Sequence, residues 1–164
     1  MAVSASLKQP FKPAILIPVY NHEHAIGATL KEVLTYGYPV ILVDDGSSPT
    51  CQSVLKQLAE HYQSSDVTLL RLPINKGKGG AVKAGICELH HHGYTHALQV
   101  DADGQHNLSD IPNMIEAAQQ NPKELIAGYP IYDDSVPKHR FYARYLTHVW
   151  VWINTLSFTI KDSM

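Results

Sequence analysis

Asp101 and Asp103 stand one residue apart in the segment Asp101-Ala102-Asp103-Gly104-Gln105-His106. Two carboxylates so spaced on an irregular turn can both face a hard divalent cation, which prefers oxygen ligands and keeps positions open for phosphate oxygens. Gln105 offers a further carbonyl oxygen. The plainer reading is a simple turn, since Asp and Gly favour turns on their own. The chemical reading gains from three other segments of unusual composition. Tyr20-Asn21 presents a flat ring able to stack on a base, or a half-buried core tyrosine. Asp44-Asp45-Gly46-Ser47 supplies two more carboxylates, one suited to a base or ribose and one to capping a turn through backbone N–H groups. Asn75-Lys76-Gly77-Lys78-Gly79-Gly80 lets backbone approach an anion closely, with Lys76 and Lys78 adding charge; otherwise it is a solvated turn.

Each of these segments follows an apolar run. Ala14 to Val19 reads as a strand buried on both faces, the pattern of a parallel sheet, with Pro18 marking its end. A helix is expected from His24 to Leu34, then a strand Val40–Val43 and a helix capped by Ser48 with Pro49 at its first position. Val67–Leu72, a helix through Ala81, Ala84, Ile86 and Leu89, and a buried strand Ala97–Val100 continue the alternation. A helix over 109–120, a strand over Leu125–Gly128 and a long helix from His139 complete it. Strand and helix alternating at this spacing predict an α/β fold with a mostly parallel sheet covered on both faces. In such sheets ligands bind beyond the carboxyl ends of the strands, which is where the four segments fall.

The 164 residues, with 45% hydrophobic and 17% charged, suit one domain with a real core. We read residues 1–12 as a tail and 13–164 as the domain, with the chain cut short at Asp162-Ser163-Met164. A net charge of −2 argues against a dedicated nucleic-acid binder. The two cysteines, Cys51 and Cys87, show no CxxC spacing and are expected in the core of a reduced, cytosolic protein. Tyr145–Ile160 is too often interrupted by polar residues to span a membrane, and residues 1–12 lack the regions of a signal peptide. The Gly-rich segment fails both the P-loop and the GxGxxG pattern, and no GxSxG elbow is present. His90, His91 and His92 point in different directions on a helix and suit its C-terminal dipole better than a shared ion. Arg140 and Arg144, four apart, share a helix face and could meet a phosphate or pair with acids. Aromatic residues at 141, 145, 150 and 152 pack on further structure or meet a lipid surface.

Taken in order, Ile17-Pro18-Val19-Tyr20-Asn21, Val43-Asp44-Asp45-Gly46-Ser47-Ser48, Asn75-Lys76-Gly77-Lys78-Gly79 and Asp101-Ala102-Asp103-Gly104-Gln105 resemble the family 2 glycosyltransferases of GT-A fold. The similarity runs from about Phe11 onward and is nearest to the dolichol- and polyprenyl-phosphate sugar transferase branch. The resemblance implies Pro18, Tyr20, Glu23, Asp44, Asp45, Lys76 and Asp101 around a nucleotide. It implies Asp101, Asp103 and Gln105 on Mg²⁺ or Mn²⁺ and Asp162 as base or acceptor-side residue; the spacing of Arg140 and Arg144 suits them to the acceptor or a phosphate. His22-Glu23 replaces the usual Asn-Glu pair, and the arginine that dolichol-phosphate relatives carry after the fifth strand is missing at Gly128-Tyr129-Pro130. The implied reaction is an inverting transfer from a UDP-, GDP- or dTDP-sugar to a lipid-linked or glycan acceptor. It would take place in the cytoplasm or at the inner face of a membrane, with peripheral membrane contact. The alternatives are a nucleotidyltransferase, whose Gly-rich loop would directly follow the first strand, and a non-catalytic nucleotide-sugar-binding domain.

Overall fold

The structure, a computed structural model, describes residues 10–105 and 107–128. The helix expected from His139, with Arg140, Arg144 and Asp162, lies outside the described residues. Up to Ile126 the described chain forms one compact unit. Its four parallel strands are β1 (Pro13–Val19), β2 (Val40–Asp45), β3 (Val67–Leu72) and β4 (His96–Gln99), in the spatial order β3-β2-β1-β4. The helices are α1 (Ile26–Leu34), α2 (Pro49–His61), α3 (Gly77–His91) and α4 (Ile111–Gln120), the last entered through a 3-10 turn at Leu108–Asp110.

Alternate residues of the central strands feed two cores. Ile15, Ile17 and Val19 of β1, with Val40 and Leu42 of β2, pack against Ile26, Leu30 and Val33 of α1, Leu55 of α2 and Ile111 and Ile115 of α4. Leu16, Ile41 and Val43 face the other way, onto Ala81 and Leu89 of α3. The side change has a topological cause. Successive right-handed crossovers from β1 to β2 to β3 put α1 and α2 on one face, and the return from β3 to β4 puts α3 on the opposite face. β1 and β2 are therefore buried on both faces, as their unbroken apolar runs predict.

Several expectations need correction. Among the described residues β4 is an edge strand, half-exposed with alternating burial, rather than a buried one. Residues 125–128 form no strand, and Leu125 is 93% exposed; four apolar residues without a ladder partner have no route for their backbone groups into the sheet. Pro18 does stand at the end of its strand, opposite Val43 and one residue before Val19 closes β1. The proline is tolerated because its missing N–H would point toward β4, whose ladder has already ended at Leu16 opposite Gln99. The Gly-rich segment is not a turn preceding α3 but its start: the helix runs from Gly77, which itself takes φ +74°, through Lys78, Gly79 and Gly80. Buried positions on α3 are Ala81, Gly85 and Leu89, spaced by four, while Ile86 is 48% exposed and Cys87 is exposed; only Cys51 lies in the core.

Gly85 sets how closely α3 lies on the sheet. A β-carbon there would fall 2.5 Å from Leu16 Cδ1 and 2.8 Å from Val43 Cγ2, whereas one at Gly79 would meet nothing within 4 Å. Gly85→Val should therefore destabilise the fold by about 1–3 kcal/mol through overpacking. Gly79→Ala should stabilise by about 0.4–1 kcal/mol by restricting the unfolded chain. Urea denaturation of both variants beside the parent chain checks the opposite signs.

Candidate functional site

At the end of β2 the two carboxylates divide their work. Asp44 is fully buried. Its Oδ1 accepts from the backbone N–H of Ser47 at 2.9 Å, closing a turn, and its Oδ2 accepts from Arg71 Nε at 3.0 Å. Arg71 lies opposite Asp44 in the β2–β3 register, so the ladder itself delivers the pair. Arg71 Nη2 donates to the Gln52 carbonyl at 3.1 Å, and Gln52 Nε2 donates to the Ser47 carbonyl at 2.8 Å, closing a ring of contacts around the turn. Asp45 turns the other way. Its Oδ1 accepts from the Lys76 N–H at 2.7 Å, tying the β2 end to the start of α3. Gly46, at φ +67°, makes this possible, because a β-carbon there would sit 2.5 Å from the Asn75 nitrogen and 2.6 Å from the Ile74 carbonyl carbon.

The end of β1 is pinned to the same turn. Ser47 Oγ donates to the Val19 carbonyl at 3.4 Å and accepts from the Asn21 N–H at 3.2 Å. Asn21 Oδ1 accepts from the Ser48 N–H at 2.8 Å, and Asn21 itself adopts φ +56°, a conformation asparagine tolerates better than most residues. Tyr20 is thereby held 48% exposed at the strand terminus. Glu23 Oε2 is buried and lacks a hydrogen-bond partner among the described residues.

Beyond β4, the Thr29 hydroxyl of α1 lies 3.4 Å from the Ala102 carbonyl and 3.3 Å from that of Ala25, so one donor bridges the acidic turn to the helix. Asp103 Oδ1 accepts from the Gln105 N–H at 3.0 Å. Asp101 Oδ1 accepts from Gln99 Nε2 at 3.2 Å, and its Oδ2 pairs with Lys78 Nζ at 2.7 Å.

These three ends enclose a cleft of about 330 Å³. Pro18, Val19, Tyr20 and His22 line it from β1, Asp45 from β2, Asn75, Gly77, Lys78 and Ala81 from α3 and its approach, and Asp101, Ala102 and Asp103 from β4. Of the residues selected from the sequence, the cleft brings together Pro18, Tyr20, Asp45, Asp101 and Asp103. Asp44, expected beside a nucleotide, is instead enclosed by Arg71 and the Ser47 turn. Lys76 reaches the site through its backbone N–H, while Glu23 and the exposed Gln105 stand outside the lining. No group of three His, Cys, Asp or Glu side chains able to hold a metal occurs among the described residues, so the acidic turn offers a cation two carboxylates rather than a closed cage.

The glycosyl transferase family 2 model matches residues 14–162. The chain belongs to this family. It is 29% identical over 169 aligned positions to a dolichyl-phosphate beta-glucosyltransferase of Dictyostelium discoideum, covering 92% of this chain and 51% of the relative. It is 30% identical to a UDP-N-acetylglucosamine–dolichyl-phosphate N-acetylglucosaminyltransferase of Methanococcus voltae, covering 70% and 50%. The chain thus spans about half the length of these curated relatives. Among solved structures, the mannosyltransferase PcManGT of Pyrobaculum calidifontis, in complex with GDP-Man and Mn²⁺, superposes with a TM-score of 0.54 at 22% identity, over 65% of this chain and 32% of that one. TarS of S. aureus gives 0.55 at 22%, over 77% and 38%. Both likenesses concern the fold, which is the GT-A arrangement. Family membership leaves the nucleotidyltransferase alternative without support, in keeping with Tyr20-Asn21 rather than glycines after β1.

The family 2 motifs account for most of the cleft, but not for what braces it. Arg71 and Thr29 carry no pattern of their own; Arg71 becomes visible only once β2 and β3 are set in register. Arg71→Leu should destabilise the fold by about 1–3 kcal/mol, the cost of leaving part of a buried acceptor unmatched. Lys56→Leu, which breaks only the exposed 3.8 Å pair with Glu60, should change stability negligibly. Denaturant midpoints of the two variants test the contrast.

Proposed function

We propose that the cleft binds a nucleoside-diphosphate sugar and that the whole enzyme transfers the sugar, with inversion, to a polyprenyl-type lipid phosphate. The observation that carries this reading is the meeting of Tyr20, Asp45, Asp101 and Asp103 in one cleft beside the start of α3. Tyr20 offers an exposed ring for the base, and Asp45 an acceptor for base or ribose. The first turn of α3 has N–H groups without helical acceptors, that of Gly77 capped by Asn75 Oδ1 at 2.9 Å, and such a terminus draws a phosphate. The acceptor class rests on the relatives, whose names specify dolichyl phosphate.

The cleft's charge adds an independent argument. Among the described residues, Asp45, Asp101 and Asp103 line it with Lys78, so a diphosphate entering alone must approach three carboxylates. Two carboxylates from one turn fit Mg²⁺ or Mn²⁺, which commonly takes one or two protein carboxylates and fills its remaining positions with water and substrate phosphates. Asp101 and Asp103 would hold the ion, and when bound it neutralises charge on the departing diphosphate.

The chain's own residues then have defined tasks. Tyr20 and Asp45 fix the nucleoside, and the α3 terminus steadies the diphosphate as negative charge grows on it. An acceptor oxygen attacks the anomeric carbon as the bond to the β-phosphate oxygen breaks. A phosphate acceptor is already ionised and needs no base; a hydroxyl acceptor would need one, the role proposed for Asp162. Arg140 and Arg144 are proposed for the acceptor phosphate, which brings the enzyme to a membrane surface. No helix among the described residues is long and apolar enough to cross a membrane.

Melting temperatures with Mn²⁺ and UDP-, GDP- or dTDP-sugars, together with transfer to polyprenyl phosphate in vesicles, test the proposal. One donor should stabilise the chain, and Asp103→Asn should abolish that stabilisation and lower transfer by the full-length enzyme about 100-fold or more. Stabilisation without transfer by the full-length enzyme would mark a non-catalytic binding domain. No stabilisation by any donor would overturn the reading.

A further inference from the structure

Lys78 stands on the first turn of α3 with Nζ 2.7 Å from Asp101 Oδ2; its side chain is 59% exposed and that of Asp101 23%. Pairs this exposed add little to stability, so support of the fold is not a sufficient account of the contact. The ammonium also lies on the carboxylate to which the donor-site reading assigns a divalent cation. Both positive groups would seek the same oxygen, and at such separations their repulsion is large. Lysine has the reach to resolve the conflict, being a compact charge on a flexible four-carbon stem. Its own helix terminus is the place where a phosphate is drawn.

We propose that Lys78 is a two-position charge: it occupies Asp101 while the cleft is empty and turns to the diphosphate when a divalent cation takes Asp101. The inference rests on the donor-site reading and adds to it a coupling between metal and donor. A cation arriving alone must displace the ammonium without providing it another partner. A diphosphate arriving alone must approach Asp45, Asp101 and Asp103. Arriving together, each removes the other's obstacle, so each raises the other's affinity by the same factor. The cleft thereby resists stray cations and charges itself only in the presence of donor.

The test titrates the 164-residue chain with Mn²⁺ alone, following free Mn²⁺ by paramagnetic resonance, and with UDP and GDP with and without Mn²⁺ by calorimetry. Lys78→Met should bind Mn²⁺ alone about 2–5-fold more tightly, because an exposed competing pair is gone. It should bind the nucleotide in Mn²⁺ about 10-fold or more weakly, because a charge-assisted contact is lost. The coupling factor should shrink accordingly, and Lys78→Arg should retain most of it. Weaker nucleotide binding with unchanged Mn²⁺ affinity would make Lys78 a plain phosphate contact and overturn the two-position role. Lys78→Met matching the parent in every titration would overturn it too, leaving the donor site standing. A parent chain that takes up no Mn²⁺ even with UDP or GDP would bring down the donor-site reading itself.

Discussion

Strand β1 is bonded on both sides, yet only one of its neighbours keeps pace with it to the end. β2 follows it as far as Val19 opposite Asp44, while the ladder with β4 stops at Leu16 opposite Gln99. From there the chain beyond β4 diverges, and the gap between the two strand ends is the cleft. The gap follows from strand order: a chain that builds β1, β2 and β3 outward and then returns past β1 to lay down β4 must send its loops apart at that point. Pro18 sits where the partner is lost, on a backbone that no longer needs the bond it cannot make. The remainder of the site is arranged around this one parting of strands.

What stabilises the parting is a set of short polar contacts among loops that would otherwise be free. The turn 44–47 is closed by Asp44, braced from β3 by Arg71 and from α2 by Gln52, and it holds Asn21 through Ser47 and Ser48. Asp45 then seizes the Lys76 N–H, so three strand ends become one frame. Burying a carboxylate as completely as Asp44 is costly unless its oxygens are matched, and here both are. Of the two neighbouring aspartates, Asp44 closes and braces the turn, while Asp45 ties it to α3 and lines the cleft.

How much of this can be read in the sequence depends on whether the cause is local. The unbroken apolar runs of β1 and β2 announce strands covered on both faces, and Ser48-Pro49 announces a helix start; these are properties of a few adjacent residues. Edge position is not local, so Ala97–Gln99 read like a central strand although its alternating exposure places it at the rim of the described sheet. The same holds for Leu125, whose apolar neighbours promise a strand that needs a partner elsewhere in the chain. Gly77 to Gly80 suggest a turn by propensity, but the helix begins there because α3 is anchored by burial of Ala81, Gly85 and Leu89 on the sheet, and tertiary packing outweighs a weak terminus. The acidic turn and Tyr20 were legible because their chemistry is in the side chains themselves. Arg71 and Thr29 were not, because their roles exist only when two distant segments lie side by side.

The glycines at the two ends of this argument show how the fold and the site share one requirement. Gly46 has no side chain, so the chain at 74–75 can come close enough for Asp45 to reach Lys76; Gly85 has none, so α3 can lie against Leu16 and Val43. The first contact sets where α3 begins and the second sets its height above the sheet. Together they determine where the helix terminus, with Gly77 and Lys78, stands relative to Asp101. The pairing of Lys78 with Asp101 is thus a consequence of close backbone packing at two sites distant from it, and the chemistry at the cleft inherits its geometry from positions that carry no functional group.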